Sequence, residues 1–444
     1  MGMRLVRAAV LLTFVGFWLA PVSARGTLDA DEVQLKRALE ARSGEMLETL
    51  RLWVGTNTGS FNQAGLERCS KMLAEPLSRL GFALEIVPGK ALGLPGRPTQ
   101  TGPLVIARRP APSGVEGAPR FLLVGHYDTV FELSSPFQRL RIDPNDPGRA
   151  IGPGVADMKG GLVVLLFALQ ALAESGDLDR AGWTVIFNAD EEVGSLVSRA
   201  RIEAEARRAD YGFVFEAVRP DGAMVRSRRG VGQFRLEVSG VAAHAGQAHA
   251  KGHSAIHELA LKVVRLEALT DYSRGITFNV GTIEGGTKRN IVPERAYAWV
   301  DVRYDDPAQA KEILEGLQLV VQDSAVKGTR ADLWGSLHRP PKLATVPTLE
   351  LLALHQEVAR EFGPDPPRPL HAGGGTDGSL MNAVGLPTLD SMGARGGNAH
   401  TRREFVVLDS LPERAAIAAV LLRRLAHGTV PGSPALRPPE ERVD

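Results

Sequence analysis

Residues 121–130 read FLLVGHYDTV, and within this stretch a continuous apolar run changes to a polar one. Phe121 to Gly125 have the apolar character of a strand that is covered on both faces of a sheet. His126 and Asp128 follow at the expected strand end, and because they are two residues apart, both side chains can point to one face. The stretch predicts an α/β sheet with polar side chains at the carboxyl end of a strand, where such sheets place their sites.

Strand-like and helix-like segments alternate on both sides of this stretch. Upstream, residues 29–53 and 62–80 carry helical apolar spacing. Downstream, the predicted elements are a helix at 160–174, a strand at 183–187, a helix at 195–206, a strand at 211–215 and, much later, a helix at 348–362, a strand at 387–392 and a helix at 411–426. This alternation predicts the α/β fold class, with a mostly parallel sheet and helices on both faces.

The pattern changes near Arg228. Residues 233–238 alternate between polar and apolar side chains, which predicts a half-buried antiparallel strand. The segments that follow are a helix around 256–263, strands at 276–283 and 296–304, a helix that opens at Asp306-Pro307, and a strand at 331–338. The order β-α-β-β-α-β is that of a ferredoxin-like α+β domain. Because the α/β alternation then resumes, we expect this domain, 228–339, to be inserted into a discontinuous domain formed by 27–227 and 340–428.

Residues 1–24 have the features of a secretory signal peptide. Arg4 and Arg7 precede an apolar run at 8–20, and small residues follow it. We expect cleavage after this segment and export to a periplasm or out of the cell. The alternative is an uncleaved membrane anchor, for which the apolar run is short. No later segment has the length and apolar character of a membrane span, and the proline-rich residues 429–444 predict a disordered tail.

Charge and cysteine content narrow the possible chemistry. The full chain has a formal net charge of +1, and loss of the two arginines in the signal segment would change it to −1. The chain has no basic run with interleaved aromatic residues, so the sequence does not indicate a nucleic-acid partner. Cys69 is the single cysteine, which excludes a disulfide within the chain and leaves His, Asp and Glu as candidate metal ligands.

Acidic residues stand at two further boundaries between predicted elements. Glu191 and Glu192 lie side by side after the strand predicted at 183–187, and an adjacent pair of acids can divide metal binding from proton transfer. Asp157 lies in GPGVADMKGG at residues 152–161, between a glycine-rich turn and an apolar helix. Taken singly, the acidic pair is typical of a solvated turn and Asp157 is typical of a helix cap.

Two more candidate ligands follow strands. Glu216 ends the apolar strand predicted at 211–215, and His400 lies in GGNAHT after another apolar run. Carboxylates mixed with imidazoles are ligands that suit zinc or a similar divalent ion. These residues together predict a metal-dependent hydrolase.

Three of these runs occur together in the order found in a known family. GHYDTV at 125–130, GPGVADMKGG at 152–161 and DEEVG at 190–194 resemble motifs of the co-catalytic zinc exopeptidases and amidohydrolases. That family includes glutamate carboxypeptidase, aminoacylase, acetylornithine deacetylase and succinyl-diaminopimelate desuccinylase. The resemblance covers nearly all of the chain after the signal segment, including GGGTDG at 373–378, and is closest to the glutamate carboxypeptidase branch.

The resemblance implies a di-zinc catalytic site in the discontinuous domain. Two zinc ions per subunit, with cobalt or manganese as alternatives, would be held by His126, Asp157, Glu192, Glu216 and His400. Asp157 would bridge the two ions, and Glu191 would act as the general base. Asp128 would orient the imidazole of His126. In this family a cis peptide bond follows the bridging aspartate, which corresponds here to Asp157–Met158.

The inserted domain resembles the lid and dimerisation domain of the family. His244, in GVAAHAG, matches a lid histidine that reaches the active site of the neighbouring subunit, which implies a homodimer. Asn290 and Arg303 match residues that bind the carboxylate of the substrate. Arg339 is a further candidate for that role, and Gly374 in the glycine-rich loop is a candidate substrate contact.

These expectations combine into a secreted zinc-dependent carboxypeptidase that hydrolyses the amide bond to a C-terminal amino acid, with glutamate as one candidate. The alternative is an aminoacylase-like deacylase of N-acyl amino acids, so the expected partner is a small peptide or an N-acyl amino acid. A non-catalytic binding protein with the same fold is disfavoured, because every expected ligand and the general base are present.

Overall fold

The computed structural model describes residues 28–92, 100–111 and 117–428. The predicted signal peptide at 1–24 and the predicted disordered tail at 429–444 lie outside these residues. Within the described ranges, no helix combines the length and the apolar character needed to cross a bilayer.

The first part of the chain alternates helices and strands. In chain order it forms α1 (Ala30–Ala41), α2 (Ser43–Val54), α3 (Gln63–Arg79), β1 (Ala83–Val87), β2 (Leu104–Arg109), β3 (Arg120–His126), β4 (Arg141–Asp143), β5 (Asp146–Ile151), α4 (Lys159–Glu174), β6 (Gly182–Asn188), α5 (Arg199–Arg208), β7 (Tyr211–Val214) and β8 (Val225–Arg228).

The remaining elements form the inserted domain and then return to the first one. The inserted domain contains β9 (Gly230–Ser239), β10 (Ala243–His244), α6 (Ala255–Glu267), β11 (Thr277–Gly285), β12 (Ile291–Val292), β13 (Arg295–Tyr304), α7 (Ala310–Gln322) and β14 (Arg330–Arg339). The chain then forms α8 (Val346–Arg360), β15 (Leu370–Ala372), α9 (Asp377–Ala383), β16 (Thr388–Leu389), β17 (Gly396–Gly397), β18 (Phe405–Val407) and α10 (Ser410–His427).

A central sheet has the strand order β1-β2-β6-β3-β7-β16. The strands β6, β3, β7 and β16 are parallel, whereas β1 and β2 form an antiparallel edge that the sequence did not predict. Successive residues of β3 face opposite sides: Leu123 packs in a cluster with α4 and α10, while Leu122 and Val124 pack in a second cluster with α5 and α9. The predicted α/β class with helices on both faces is confirmed.

The inserted domain has a four-stranded antiparallel sheet in the order β11-β13-β9-β14. Alternate residues of β9 join residues of α6 and α7 in a hydrophobic cluster, which includes Phe234, Leu236, Val238, Leu259, Ile313 and Leu317. The chain order β9-α6-β11-β13-α7-β14 confirms the predicted ferredoxin-like architecture. The chain enters and leaves this domain at one place, because Arg228 and Lys342 exchange backbone hydrogen bonds of 3.0 and 3.1 Å.

A separate four-stranded sheet has the order β17-β18-β5-β4. In it Phe405, the first residue of β18, is paired with Ile151, the last residue of β5. The loop that follows β5 therefore begins next to the point where the loop before β18 ends.

Three element boundaries differ from the predictions for local reasons. The helical stretch predicted at 29–53 divides at Arg42, whose backbone angles of φ −97° and ψ 12° end α1 before α2 begins. The helix predicted from Ser195 begins at Arg199, since Ser195 has a left-handed φ of 53°. The strand predicted at 387–392 is limited to β16, since Ser391 has a φ of 62°.

Candidate metal centre

Neighbouring parallel strands bring polar side chains to one edge of the central sheet. His126 is the last residue of β3, and Glu216 lies two residues beyond the end of β7. Glu191 and Glu192 lie in a 3-10 turn, Glu191–Val193, just after β6. Because parallel strands end at the same edge, these segments converge there.

Two groups of potential metal ligands meet at Asp157. His126 Nε2 lies 3.1 Å from Asp157 Oδ1 and 3.6 Å from Glu216 Oε1. His400 Nε2 lies 3.1 Å from Asp157 Oδ2 and 3.1 Å from Glu192 Oε2. In each group the potential ligand atoms all lie within 4.8 Å of one another. Asp157 thus presents one carboxylate oxygen to each imidazole, and a cis peptide bond follows it, as the resemblance implies.

The donor set fits divalent cations. It contains two imidazoles and three carboxylates crowded into a small volume, which are ligands that zinc and related ions accept. Burial and the nearby Asp157 carboxylate raise the pKa of Glu216 well above its ordinary value, and burial raises the pKa of Glu192. Bound cations stabilise such crowded carboxylates in their charged form.

Asp128 fixes the orientation of His126. The Nδ1 atom of His126 lies 3.1 Å from the Asp128 carbonyl oxygen and 3.4 Å from Asp128 Oδ1, so Nε2 faces the centre. Burial alone would lower the pKa of His126, but hydrogen bonds with Asp128 and Asp157 raise it well above its ordinary value. The Asp128 carboxylate also accepts the N–H groups of Glu191 and Glu192, each at 3.2 Å. Asp128 therefore joins the end of β3 to the acidic turn.

Glu191 lies beside the ligands and is paired with Arg339. Its Oε1 lies 2.8 Å from a terminal nitrogen of Arg339, which also donates to the Glu191 carbonyl at 2.7 Å. Burial raises the pKa of Glu191 to about 8, although the charge of Arg339 opposes the shift. A carboxylate placed beside the candidate cation ligands is positioned to accept a proton from a water molecule there.

Arg339 has a more central place than the sequence indicated. Its side chain is 4 % exposed, and its guanidinium also lies 3.2 Å from Asp377 Oδ1 and donates to Ser195 Oγ at 3.0 Å. In this structure its terminal nitrogens contact protein groups, so its placement favours holding Glu191 over clamping a substrate. Asp377 lies in the glycine-rich loop at 373–378, but no local sequence pattern indicated that it would pair with Arg339.

The predicted lid residues His244 and Asn290 lie together on the β10–β12 ribbon. His244 is paired with Ile291, and the Asn290 carbonyl accepts the N–H of Ala245 at 2.9 Å. The exposed His244 ring accepts the N–H groups of Gly246 and Gln247 at Nδ1, at 3.1 and 3.2 Å. A ring that accepts at Nδ1 carries its proton on Nε2 when neutral, so His244 presents an N–H donor. Neither residue belongs to the two ligand groups of its own chain.

Arg303 and Gly374 lie where β13 meets the glycine-rich loop. Two nitrogens of Arg303 donate to the Asp301 carboxylate at 2.7 and 2.8 Å, and a third donates to the Gly373 carbonyl at 3.3 Å. The Gly374 carbonyl accepts from Arg228 at 3.2 Å. The Arg303 side chain stays 29 % exposed, whereas that of Arg339 is buried, so an anion from solvent can approach Arg303 in competition with Asp301.

Two residues that support the ligands were not identified from the sequence. Ser60 donates its hydroxyl to Asp128 Oδ2 at 2.9 Å. Glu404, four residues after His400, is buried and accepts backbone N–H groups from the segment that carries Asp157. The sequence feature that could have identified Glu404 as a supporting residue is its position only four residues after His400.

This chain is similar to known proteins in sequence and in fold. The family model described as "Peptidase family M20/M25/M40" matches residues 122–424. Carboxypeptidase G2 from Pseudomonas sp. is 28% identical over 436 residues, which cover 95% of this chain and 100% of that protein. A succinyl-diaminopimelate desuccinylase from Alkalilimnicola ehrlichii is 28% identical over 375 residues, covering 80% of this chain and 93% of that protein. The crystal structure of an M20 family metallo-carboxypeptidase from Sulfolobus solfataricus superposes with a TM-score of 0.71 at 20% identity, covering 86% of this chain and 99% of that one.

Proposed function

Because the chain belongs to peptidase family M20/M25/M40, we propose that it is a metal-dependent carboxypeptidase that releases a C-terminal amino acid through a centre of two divalent cations, with zinc as the first choice. The observation that carries the proposal is the position of Asp157, whose two carboxylate oxygens each face a different imidazole. His126 and Glu216 would complete one cation's ligands, and Glu192 and His400 the other's. Similarity to carboxypeptidase G2 over 95% of the chain supports the choice of a carboxypeptidase.

The side chains around this centre divide the work of amide hydrolysis. When bound, the two cations supply Lewis acidity, which polarises the substrate carbonyl and makes water more acidic. Glu191, next to both ligand groups, accepts a proton from the attacking water and returns it to the leaving nitrogen. Asp128 holds His126 and the turn that carries Glu191 in a fixed relation.

Residues of the inserted domain complete the proposed site. Arg303, with its partly exposed side chain, and Asn290 bind the free carboxylate of the substrate, which selects the end of a peptide. Gly374 lies next to Arg303 and offers its backbone N–H. The Nε2–H of His244 donates to the oxygen that becomes negative during attack on the carbonyl.

A second candidate function is removal of an acyl group from an N-acyl amino acid. It rests on the similarity to succinyl-diaminopimelate desuccinylase, which covers 80% of this chain. Both reactions break an amide bond next to a carboxylate, so the same residues serve either one. The two differ in the group on the other side of the scissile bond.

Zinc-loaded protein tested against dipeptides, N-acyl glutamates and other N-acyl amino acids separates the two functions. We expect two zinc ions per chain and the highest kcat/KM on a peptide bond to a C-terminal amino acid. Metal content is measured by elemental analysis, and cleavage by release of the free amino acid. Hydrolysis confined to short-chain N-acyl amino acids would favour the deacylase, and bound zinc without any hydrolysis would contradict both enzymatic proposals.

We expect His244 to act in the site of a second subunit. The motivation is that His244 is exposed, presents an N–H donor and lies outside the ligand groups of its own chain. Glu191→Gln and His244→Ala proteins, each inactive alone, are mixed under conditions that exchange subunits. In a mixed dimer one site carries both changes and the other carries neither, so activity should recover to about half of the wild-type value per mixed dimer.

The control for this experiment is His249→Ala, which changes another exposed histidine of the inserted domain and should remain active alone. Analytical ultracentrifugation establishes the dimer, and differently tagged subunits establish the exchange. Mixed dimers that form and stay inactive would show that His244 does not act across the interface.

A further inference from the structure

Glu404 binds the backbone of the segment that carries Asp157. One carboxylate oxygen of Glu404 accepts the N–H of Gly154 at 3.1 Å, and the other accepts those of Ala156 and Asp157 at 2.9 and 3.0 Å. The carbonyl of Glu404 also accepts the N–H of Gly152 at 3.2 Å. One residue therefore receives four N–H groups from residues 152–157, which we term the Asp157 loop.

The same residue closes the segment that carries His400. The His400 loop, residues 398–404, contains two non-glycine residues in the left-handed region, Asn398 with φ 57° and His400 with φ 63°. Such backbone angles are costly and persist where surrounding contacts enforce them. Here the enforcing contacts include the N–H of Thr401 to the Asn398 carbonyl at 3.2 Å and the N–H of Glu404 to the Thr401 carbonyl at 3.0 Å.

Burial of a carboxylate at this position requires compensation. Glu404 is 1% exposed, and the backbone N–H groups that it accepts provide that compensation. A carboxylate accepts hydrogen bonds at both oxygens, whereas a glutamine amide accepts at only one and donates at the other. The isosteric glutamine would therefore place a donor against at least one backbone N–H of the Asp157 loop.

We propose that Glu404 is a positioning residue that fixes Asp157 and His400 in one frame, so that the pair of cation sites is formed before a cation binds. The inference deepens the proposed function and rests on its metal centre. Asp157 contributes to both ligand groups, and its own N–H is bound by Glu404. Loosening this contact therefore weakens both cation sites together and leaves the substrate groups on the inserted domain in place.

Metal affinity in Glu404→Gln tests the proposal. We expect zinc affinity, measured by chelator competition, to fall about 10–100-fold, the range found when groups that orient metal ligands are removed. Turnover lost at limiting zinc should return at excess zinc. Glu404→Asp, which keeps the charge on a shorter side chain, should show a smaller loss of affinity.

Asp210→Asn is the matched control. Asp210 is also buried and accepts the backbone N–H of Arg120 at 2.8 Å, at the opposite end of β3. That end is about 20 Å from His126, since each strand residue advances about 3.3 Å. We expect Asp210→Asn to lower the melting temperature without any change in zinc affinity. Equal zinc affinity in Glu404→Gln and the wild type, whatever their melting temperatures, would overturn the proposal.

Hydrogen exchange on the wild-type protein tests whether the cation sites are formed before zinc binds, even if the Glu404 variants do not fold. In zinc-stripped protein we expect the amides of Gly154, Ala156 and Asp157 to be protected already. Rapid exchange of these amides until zinc is added would show that Glu404 does not hold the Asp157 loop in place before zinc binds, and would overturn the proposal. Wild-type protein that binds no zinc would overturn the metal centre as well, whereas zinc binding without hydrolysis would count against the proposed reaction alone.

Discussion

Replacement of Glu191 by glutamine is expected to lower kcat by about 10²–10⁴-fold, the usual contribution of a positioned proton acceptor. Both cations should stay bound, because Glu191 belongs to neither ligand group. The carboxylate pairs instead with Arg339 at 2.8 Å, and a glutamine carbonyl can accept from the same guanidinium. Zinc per chain and kcat at saturating substrate are the two measurements.

Glu192→Gln is the matched comparison, since it changes the adjacent acid in the same turn. Glu192 Oε2 lies 3.1 Å from His400 Nε2, so this change should weaken cation binding at the group that contains His400. Excess zinc should restore part of the turnover of Glu192→Gln and none of that of Glu191→Gln. A Glu191→Gln protein that loses a zinc ion while Glu192→Gln keeps both would reverse the assignment.

Amidation of the substrate's C-terminal carboxylate is expected to lower kcat/KM by about 30-fold or more, the equivalent of about 2 kcal/mol. The reason is that Arg303 would lose an anionic partner. In Arg303→Gln, the difference between the free acid and the amide should shrink, because the residue that distinguishes them is gone. Initial rates on a matched acid and amide pair, in both proteins, give the four values that are needed.

Arg235→Gln provides the control for this comparison. Arg235 lies in the same sheet and, like Arg303, is paired with an acid two residues away, Glu237 at 3.3 Å. It should keep the wild-type difference between acid and amide. Equal rates on acid and amide in the wild type would contradict a carboxylate clamp. If Arg303→Gln keeps the full difference in kcat/KM between acid and amide, another group binds the substrate carboxylate, and Arg339 is the first candidate.

The positions of the candidate ligands could be predicted because each is tied to a local pattern. His126 and Glu216 each follow an apolar run, and such runs become strands whose carboxyl ends share one edge of the sheet. The ferredoxin-like insertion was predictable for a similar reason, because the alternation of side chains in β9 is visible in the sequence alone. In these cases residues close in sequence determine the outcome.

The supporting contacts could not be predicted because they join distant parts of the chain. Glu404 lies 250 residues from Gly154, and Arg339 lies 148 residues from Glu191, so no spacing rule connects them. The same limit applies to β1 and β2, whose antiparallel pairing depends on which edge of the sheet remains available. Arg303 was expected at the substrate cleft, but its pairing with Asp301 depends on side-chain orientation that a strand pattern does not determine.

The adjacent backbone crossings at Arg228 and Lys342 make the inserted domain an exchangeable cassette. Since these two residues are already hydrogen-bonded to each other, a tight turn between them could close the chain with little added loop entropy. Insertions whose ends lie close together are the ones that host folds tolerate best. Lids of different size or charge could therefore be grafted between these two points while the α/β core keeps its chain order. Such a graft would have to retain Arg339 at the end of β14, because its guanidinium pairs with Glu191 at the metal-binding edge of the sheet.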